Sequence, residues 1–461
     1  MLIKDKAAEI FEQLKKHSTA DEVEALIYGG KSALTRFANN TIHQNVAQES
    51  YSISVRTAFD GRTARATTNK FDNESLKRVV QASESLAKIQ HPDPDLLSMA
   101  DAGEGDRVTQ ARPSRHFART AGLTPELRAD AVQKIVRVAT QHQLTTAGIF
   151  SSSESVEGIF NSRGLNDWHT QTSSEISITM LAADSSGWQK ANSPDVSQLD
   201  PVALAEISAR KAAESASPRE IPAGKYTVIL EPAAVLDMAG FMFWDFGGLS
   251  ILDQRSFLNN RVGTQIFGAN INIWDDVAHP LQSGTPFDGE GIHRQRVHLV
   301  ENGIVKRLVY ARATAEKMKQ SEYKDKVGPV AATGHGFSLP NEMGEAPMNI
   351  VFGTPADPKT VEQMIASTER GVLITRLWYI REVDPYEKIL TGMTRDGTFY
   401  VEDGKVRHGI LNFRFNESLI HMLSNVEGMG IPVRASGEES FDMVAPPMKV
   451  RDFNFTEVTK F

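Results

Sequence analysis

The stretch VLDMAGFMFWDFGGLS, residues 235–250, is the most aromatic and apolar in the chain, yet it holds two aspartates, Asp237 and Asp245. It could span a membrane, do chemistry or fill a core, and the fold depends on which. Residues 233–252 are long enough to cross a bilayer. Each aspartate would cost about 2.5–3.5 kcal/mol near the bilayer centre, and the rest of the sequence offers no second span. The stretch is therefore expected to be a buried helix, with Pro232 in its first turn and Gly247-Gly248 ending it. Eight residues apart on such a helix, Asp237 and Asp245 would sit roughly 80° apart around the axis and would not form one chelating face.

On the N-terminal side of this helix the sequence repeats itself. A helical pattern over about 4–17 leads into the alternating segments VEALIYGG, SALTRFA, TIHQNVA, SYSISVRTAF and RTARATT, then the helix NESLKRVVQASESLAKI (73–89). The same order recurs after about 124: a helix to 141, five alternating segments, and a helix over about 201–216. A gapless shift of 123 residues puts Phe37 on Phe160, Gln48 on Gln171, Ser50 on Ser173 and Ile53 on Ile176. The chain thus reads as a tandem pair of helix-flanked antiparallel meanders, units 1–90 and 124–216, within an N-terminal domain of residues 1–220. The polar, Pro- and Gly-bearing segment 91–123 is the connector.

After SASPREIPAGK (215–225) the chain becomes strand-rich, and residues 222–461 read as a mainly antiparallel β domain. Asp60-Gly61, Asn302-Gly303 and Asp403-Gly404, each between apolar runs, predict tight hairpins. The overall expectation is an α+β protein of two domains.

Composition narrows the function. With 40% hydrophobic and 23% charged residues the chain is an ordinary globular protein, and its net charge of −8 with scattered Lys and Arg argues against a nucleic-acid partner. The short RHFAR run (115–119) reads as a solvated loop. The absence of cysteine excludes disulfides, thiolate zinc ligands and a cysteine nucleophile, and suits a reducing, cytoplasmic location. The N-terminal MLIKDKAAEIFEQLKK carries too many charges for a signal peptide and reads as an amphipathic helix.

A scan for chemistry gives little. YGGKS (28–32) lacks the first glycine of a phosphate loop and precedes a strand pattern, so it reads as a turn. No two of the twelve histidines are three or four apart, so no helical metal pair exists. His293 and His298, five apart on a strand, face opposite ways. Asp275, Asp276 and His279 would converge on a helix, but Pro280 and the turn-like context favour a solvated loop. His335, in ATGHGFS, lies between glycines that let backbone approach closely. Arg395 and Asp396 read as an ion pair at a hairpin end. Arg376 and Arg381 are too far out of phase for one carboxylate clamp.

Four stretches carry a resemblance: RSFLNNRVGTQIF (255–267), GTPFDGEGIHRQRVHLVENGIVKRLVYARATAEKMK (284–319), ATGHG (332–336) and TGMTRDGTFYVEDGKV (391–406). With them the chain resembles the TldD/PmbA family, once called modulators of DNA gyrase and now regarded as zinc metallopeptidases. The similarity is closest to the PmbA branch, also called TldE. The TldD branch carries H-E-x-x-x-H on the helix after the strand matching KYTVILEP, with a further cysteine ligand near the C-terminus. Here the corresponding VLDMAGFMFWDFGG has neither histidine nor glutamate, and SFDMVAPPMKVRDF (440–453) has no cysteine. Zinc catalysis needs three protein ligands and an open position, so the resemblance carries no metal ligand onto this chain. Asp245, His335 and Arg395 remain as candidates for lining a residual cleft.

The resemblance implies a protein involved in proteolysis of small or unfolded peptides. It would be a subunit holding no cofactor of its own, with zinc supplied by a TldD-like metallopeptidase partner in a heterodimer, or it would form a homodimer. One alternative is a peptidase or amidase in its own right, with a non-standard site drawn from Asp245, Asp276, His279 or His335. A second is a non-enzymatic regulatory protein. Neither nucleic acid nor membrane is an expected partner.

Overall fold

The computed structural model describes residues 1–104 and 113–459; residues 105–112, in the expected connector, and 460–461 lie outside the described residues. The N-terminal half is one six-stranded antiparallel sheet in the order β3-β2-β1-β4-β5-β6. Its strands are β1 (Glu22–Ala38), β2 (Thr41–Phe59), β3 (Arg62–Thr68), β4 (Thr145–Asn161), β5 (Asn166–Leu181) and β6 (Ser186–Ser193). The helices α1 (Lys4–His17), α2 (Asn73–Lys88), the one-turn α3 (Ala118–Ala121), α4 (Pro125–Gln141) and α5 (Pro201–Glu214) accompany it.

The 123-residue repeat is visible in the strand bounds: both ends of β4 lie 123 positions beyond those of β1. The two strands pair antiparallel with Lys31 opposite Glu154, again 123 apart, so a local two-fold passes through that pair. The copies are not separate layers. Because β1 and β4 cross over the dyad, Phe37 of the first copy packs in the core of the second with Ile135, Ile176 and Ile178. Phe160 of the second packs in the core of the first with Leu14, Ile53 and Val80, its ring 6.0 Å from that of Phe11. Each copy completes the other's apolar interior.

The strands are fewer and longer than the alternating segments suggested. Gly29 and Gly30, expected in a turn, lie within β1 at φ +139° and +153°. A Cβ there would meet Ser50 O at 2.2 Å and Glu154 O at 2.0 Å, so the strand needs glycine at both positions. The chain instead turns at Asn39-Asn40, both at positive φ.

Residues beyond 220 form two further sheets. One follows the order β10-β9-β8-β11-β18-β17, from β8 (Ile273–Asp275), β9 (Val297–Glu301), β10 (Ile304–Val305), β11 (Ile350–Phe352), β17 (Val433–Ala435) and β18 (Met443–Ala445). The other follows β12-β7-β19-β15-β13-β14, from β7 (Gly224–Leu230), β12 (Arg370–Asp384), β13 (Ile389–Glu402), β14 (Lys405–Gly409), β15 (Phe413–Ser418) and β19 (Met448–Val458), with β16 (Val426–Met429) beside β19. The pairing of β12 with β13 closes that path into a ring. Among the described strand pairs, only β7–β12 and β11–β18 are parallel, so the expected mainly antiparallel α+β fold is what the chain adopts. The Asp60-Gly61, Asn302-Gly303 and Asp403-Gly404 turns all have positive φ at both residues, as their sequences predict.

Several side chains join the N-terminal sheet to the later sheets. Arg115, expected in a solvated loop, is buried and donates to the carbonyls of Val277, His279 and Pro280. Arg65 donates to Leu339 O at 2.8 Å while pairing with the buried Glu24, and Ser186 Oγ donates to Asp396 Oδ1 at 2.7 Å. Among the described residues no helix is long and apolar enough to cross a membrane.

Candidate functional site

The strand β7 leads through Pro232 into α6 (Pro232–Ala239), as the sequence predicts, but the helix does not run on to Gly247. At Gly240 it tightens into a 3₁₀ segment, Gly240–Phe246, followed by the short α7 (Gly248–Leu252). At Gly240 the loop around Ser440 comes close to the backbone: a Cβ there would fall 1.7 Å from Ser440 Oγ. The apolar side chains Val235, Leu236, Met238, Met242, Phe243 and Phe246 are buried in the main core, which is the packing role foreseen for them. The 3₁₀ turn displaces the 80° relation between the aspartates and gives them separate environments.

On its outer side this segment forms one wall of a cleft of about 690 Å³. Phe241, Trp244 and Asp245 line it from the 3₁₀ turn, Glu382 and Lys388 from the β12–β13 hairpin, and Glu438 to Phe441 from the loop before β18. Asp245 is buried on the cleft floor. Its Oδ1 accepts the Phe257 N–H at 3.2 Å, and its Oδ2 lies 2.6 Å from Lys388 Nζ. The same ammonium lies 2.7 Å from Glu382 Oε1. Lys388 is buried, with φ of +48°, a conformation a lysine holds only when its surroundings fix it. Trp244 is 44% exposed and stacks on Phe337 at 6.0 Å, so one face of the indole remains open to the cleft rim.

Asp237 is fully buried behind this floor. Its Oδ1 accepts the N–H groups of Glu438 and Glu439 at 3.2 and 3.0 Å, which ties the cleft loop to α6. Burial pushes its carboxyl up to about 7, against those two N–H donors. At neutral pH a substantial fraction therefore carries a proton.

The other residues singled out in the sequence lie elsewhere. His335 is buried with its Nε2 3.0 Å from Asp275 Oδ1 and its Nδ1 3.0 Å from Thr333 Oγ1. Asp275, expected in a solvated loop, is thus a buried strand residue of β8. Asp276 and His279 form a turn beyond it, where His279 Nδ1 accepts the Leu281 N–H. Arg395 and Asp396 sit in the middle of β13, not at a hairpin end. Arg395 is half exposed over the Trp378 ring, and Asp396 pairs with the buried Arg376. His293 faces Asp167, and His298 lies over Trp274. Only Asp245 of the three cleft candidates lines this cleft.

GTPFDGEG and ATGHG, two stretches on which the resemblance rests, meet each other. Asp288 Oδ2 accepts the Gly336 N–H at 2.8 Å, its Oδ1 accepts the N–H groups of Glu290 and Ile292, and Gly289 N–H donates to Gly336 O. Together they form one scaffold, and Asp288, Gly289 and Gly336 line a second cavity of about 540 Å³. Sequence reasoning missed Lys388 and Glu382, because nothing local in YEKIL marks the lysine as buried.

The cleft does not fit a zinc ion. Lys388 and Arg255 already bring cations to it, Asp245 already uses both oxygens, and among the described residues no three His, Cys, Asp or Glu side chains are placed to hold a metal.

Comparison with known proteins gives concordant results. A family model described as PmbA/TldA metallopeptidase C-terminal domain matches residues 223–457, and one described as PmbA/TldA metallopeptidase domain 1 matches residues 23–87. The chain is 21% identical to Metalloprotease PmbA of Escherichia coli O157:H7 over 412 residues, covering 86% of this chain and 85% of that protein. It is 22% identical to a PmbA homologue of Haemophilus influenzae over 374 residues, covering 78% and 76%. The crystal structure of TldE from Thermococcus kodakarensis superposes with a TM-score of 0.85 at 18% identity, covering 98% of this chain and 100% of that one.

Proposed function

The chain belongs to the PmbA/TldD metallopeptidase family, and from that membership we propose that it is a subunit without a catalytic metal of its own, acting in the proteolysis of small or unfolded peptides beside a TldD-like zinc-bearing partner. The observation that carries the reading is the Asp245–Lys388–Glu382 cluster. In the cleft beside the helix that follows β7, a lysine ammonium is shared by two carboxylates, and aromatic side chains stand around it. With Asp245 held by Lys388 and by the Phe257 N–H, the cleft offers no free ligand set for a zinc ion, which supports the reading that hydrolysis falls to the partner. The cleft would contribute binding, with Trp244 and Phe241 offering flat apolar surface to an extended peptide.

The experiment is a mixing assay with metal analysis. The purified chain alone should leave an unstructured peptide uncut and carry substoichiometric zinc, and cleavage should appear when a TldD-like chain is added. Cleavage by this chain alone at the rate of the mixture would refute the reading. So would one tightly held zinc per chain that is lost in Asp245→Asn.

The name of the Escherichia coli relative, a metalloprotease, favours a second reading in which this chain cleaves peptides itself. Its residues would have to come from Asp245, Asp276, His279 or His335, which this fold distributes over a cleft floor, a half-buried turn and a buried pair.

A further inference from the structure

The cavity of about 540 Å³ lies where the GTPFDGEG stretch meets the N-terminal sheet. β1 and β4 line it with Leu26, Tyr28 and Glu157, and the later chain lines it with Phe287, Phe337 and Met348. Tyr28 and Glu157 are exposed and mark its mouth, whereas Phe287 and Asp288 are buried within. The wall is tied across the two domains. Thr285 Oγ1 donates to Glu157, and the Gly284 N–H donates to Gln171 Oε1 at 3.2 Å. Phe337 also stacks on Trp244 at 6.0 Å, so the cavity adjoins the Asp245 cleft.

Arg294 is the one cation among the lining residues. Its backbone is fixed, the N–H donating to Pro286 O at 2.9 Å, and the preceding His293 turns instead to Asp167. The guanidinium Nη1 is buried and has no hydrogen-bond partner among the described residues. The carboxylates around it are committed elsewhere. Asp288 accepts the N–H groups of Glu290, Ile292 and Gly336, and Asp275 is held by His335 and by the N–H groups of Met348 and Asn349. A buried N–H left unpaired costs free energy, and a guanidinium fork matches the two oxygens of a carboxylate. One cation sharing this space with Asp288 and Glu157 suits a monoanion and disfavours a dianion such as phosphate. The apolar walls suit a ligand with an apolar body.

We propose that this cavity binds the C-terminal carboxylate of a short peptide ending in an apolar residue. Arg294 Nη1 donates to the carboxylate, and the last side chain lies against Leu26, Phe287 and Met348. A free branched-chain acid has the same chemistry, a carboxylate on an apolar body. The peptide is favoured because the cavity has room for several residues, and Gln171 and Ser338 add polar groups for its amides. Binding here does not require that this chain or a partner cut the peptide.

The test is titration calorimetry of the full chain with four probes: acetyl-Gly-Gly-Leu, its C-terminal amide, 4-methylpentanoate and inorganic phosphate. The peptide acid should bind at least about tenfold more tightly than each of the other three, the loss expected when a charge-assisted hydrogen bond is removed. In Arg294→Gln the affinity for the acid should fall to that for the amide, with amide binding unchanged. Arg407→Gln, which removes the same charge from an exposed hairpin, should leave both affinities as they are. Equal affinity for acid and amide in the wild type overturns the proposal, as does no binding of either, and neither result needs a variant to fold. An acid preference that survives Arg294→Gln in a protein of wild-type melting temperature overturns it too. So does 4-methylpentanoate or phosphate that binds as tightly as the peptide acid. Cleavage in the mixing assay decides none of these outcomes, so this proposal and the proposed function fail separately.

Discussion

Lys388 Nζ lies 2.6 Å from Asp245 Oδ2 on the floor of the cleft, with Glu382 Oε1 2.7 Å away on the other side. Two carboxylates share one ammonium, and both Asp245 and Lys388 are buried. Removing one member of a buried pair strands the charge of the others, which typically costs 3–5 kcal/mol. Glu382 is partly exposed and tempers this. Lys388→Met is expected to destabilise the protein by about 3 kcal/mol in urea unfolding, and Asp245→Asn combined with it should recover part of the loss. An unchanged urea midpoint in Lys388→Met would show that the lysine is dispensable to the floor.

Asp237 gives a pH dependence of opposite sign to that of an ordinary salt-bridged carboxylate. Its folded value of about 7 lies above the unfolded one, because burial disfavours the charge. The contribution to stability is complete below the unfolded value near 4 and is lost as pH rises through about 7. Between pH 5 and pH 8 the wild type should lose roughly 2–3 kcal/mol relative to Asp237→Asn, which cannot titrate but keeps an oxygen for the Glu438 and Glu439 N–H groups. Parallel stability profiles for the two proteins across that range would contradict a protonated Asp237.

Trp244 separates binding from folding. Nearly half its surface is exposed, and its ring stacks on that of Phe337. Trp244→Ala should change stability by less than about 1 kcal/mol, as surface substitutions usually do. If the cleft receives peptide, cleavage by this chain with a TldD-like partner should fall about tenfold in kcat/KM, the loss of one aromatic contact worth ~1.4 kcal/mol. Full activity in Trp244→Ala would remove the cleft from substrate binding.

Much of this architecture is legible in the sequence because it rests on local rules. The Asn-Gly and Asp-Gly hairpins need positive φ at two adjacent residues, and those dipeptides announce it. At the 123-residue offset, the identities Phe37/Phe160 and Ile53/Ile176 are buried in both copies, whereas Gln48/Gln171 and Ser50/Ser173 are not. What is not legible depends on long-range contact. Gly29-Gly30 has a turn's composition, and only the close approach of β2 and β4 explains why it lies inside a strand. The helix 232–247 changes at Gly240, where residue 440, two hundred positions away, comes so close that a side chain would not fit. Lys388 and Arg115 look like surface cations until a distant carboxylate or carbonyl is placed beside them. The exchange of Phe37 and Phe160 between cores follows from the pairing of β1 with β4, which no single segment encodes.

The pair His335–Asp275 tests whether a histidine in a glycine loop is structural or chemical. Both side chains are inaccessible, 3.0 Å apart, and Asp275 Oδ2 also accepts the N–H groups of Met348 and Asn349 at 2.8 and 2.7 Å. Burial would raise the Asp275 carboxyl, but His335, Arg294 and these donors together bring it below its ordinary value. Its stabilising effect is therefore present above the unfolded value near 4 and lost as pH falls through the folded one. Asp275→Asn and His335→Gln should each cost about 3–5 kcal/mol at neutral pH, and Asp275→Asn should lack the corresponding part of the acid-unfolding transition. Per folded molecule, peptide cleavage in the presence of a TldD-like partner should be unchanged in both, because neither side chain reaches the cleft or solvent. A His335→Gln protein with wild-type stability and abolished cleavage would instead place the histidine in the chemistry and revive the reading of this chain as a peptidase in its own right.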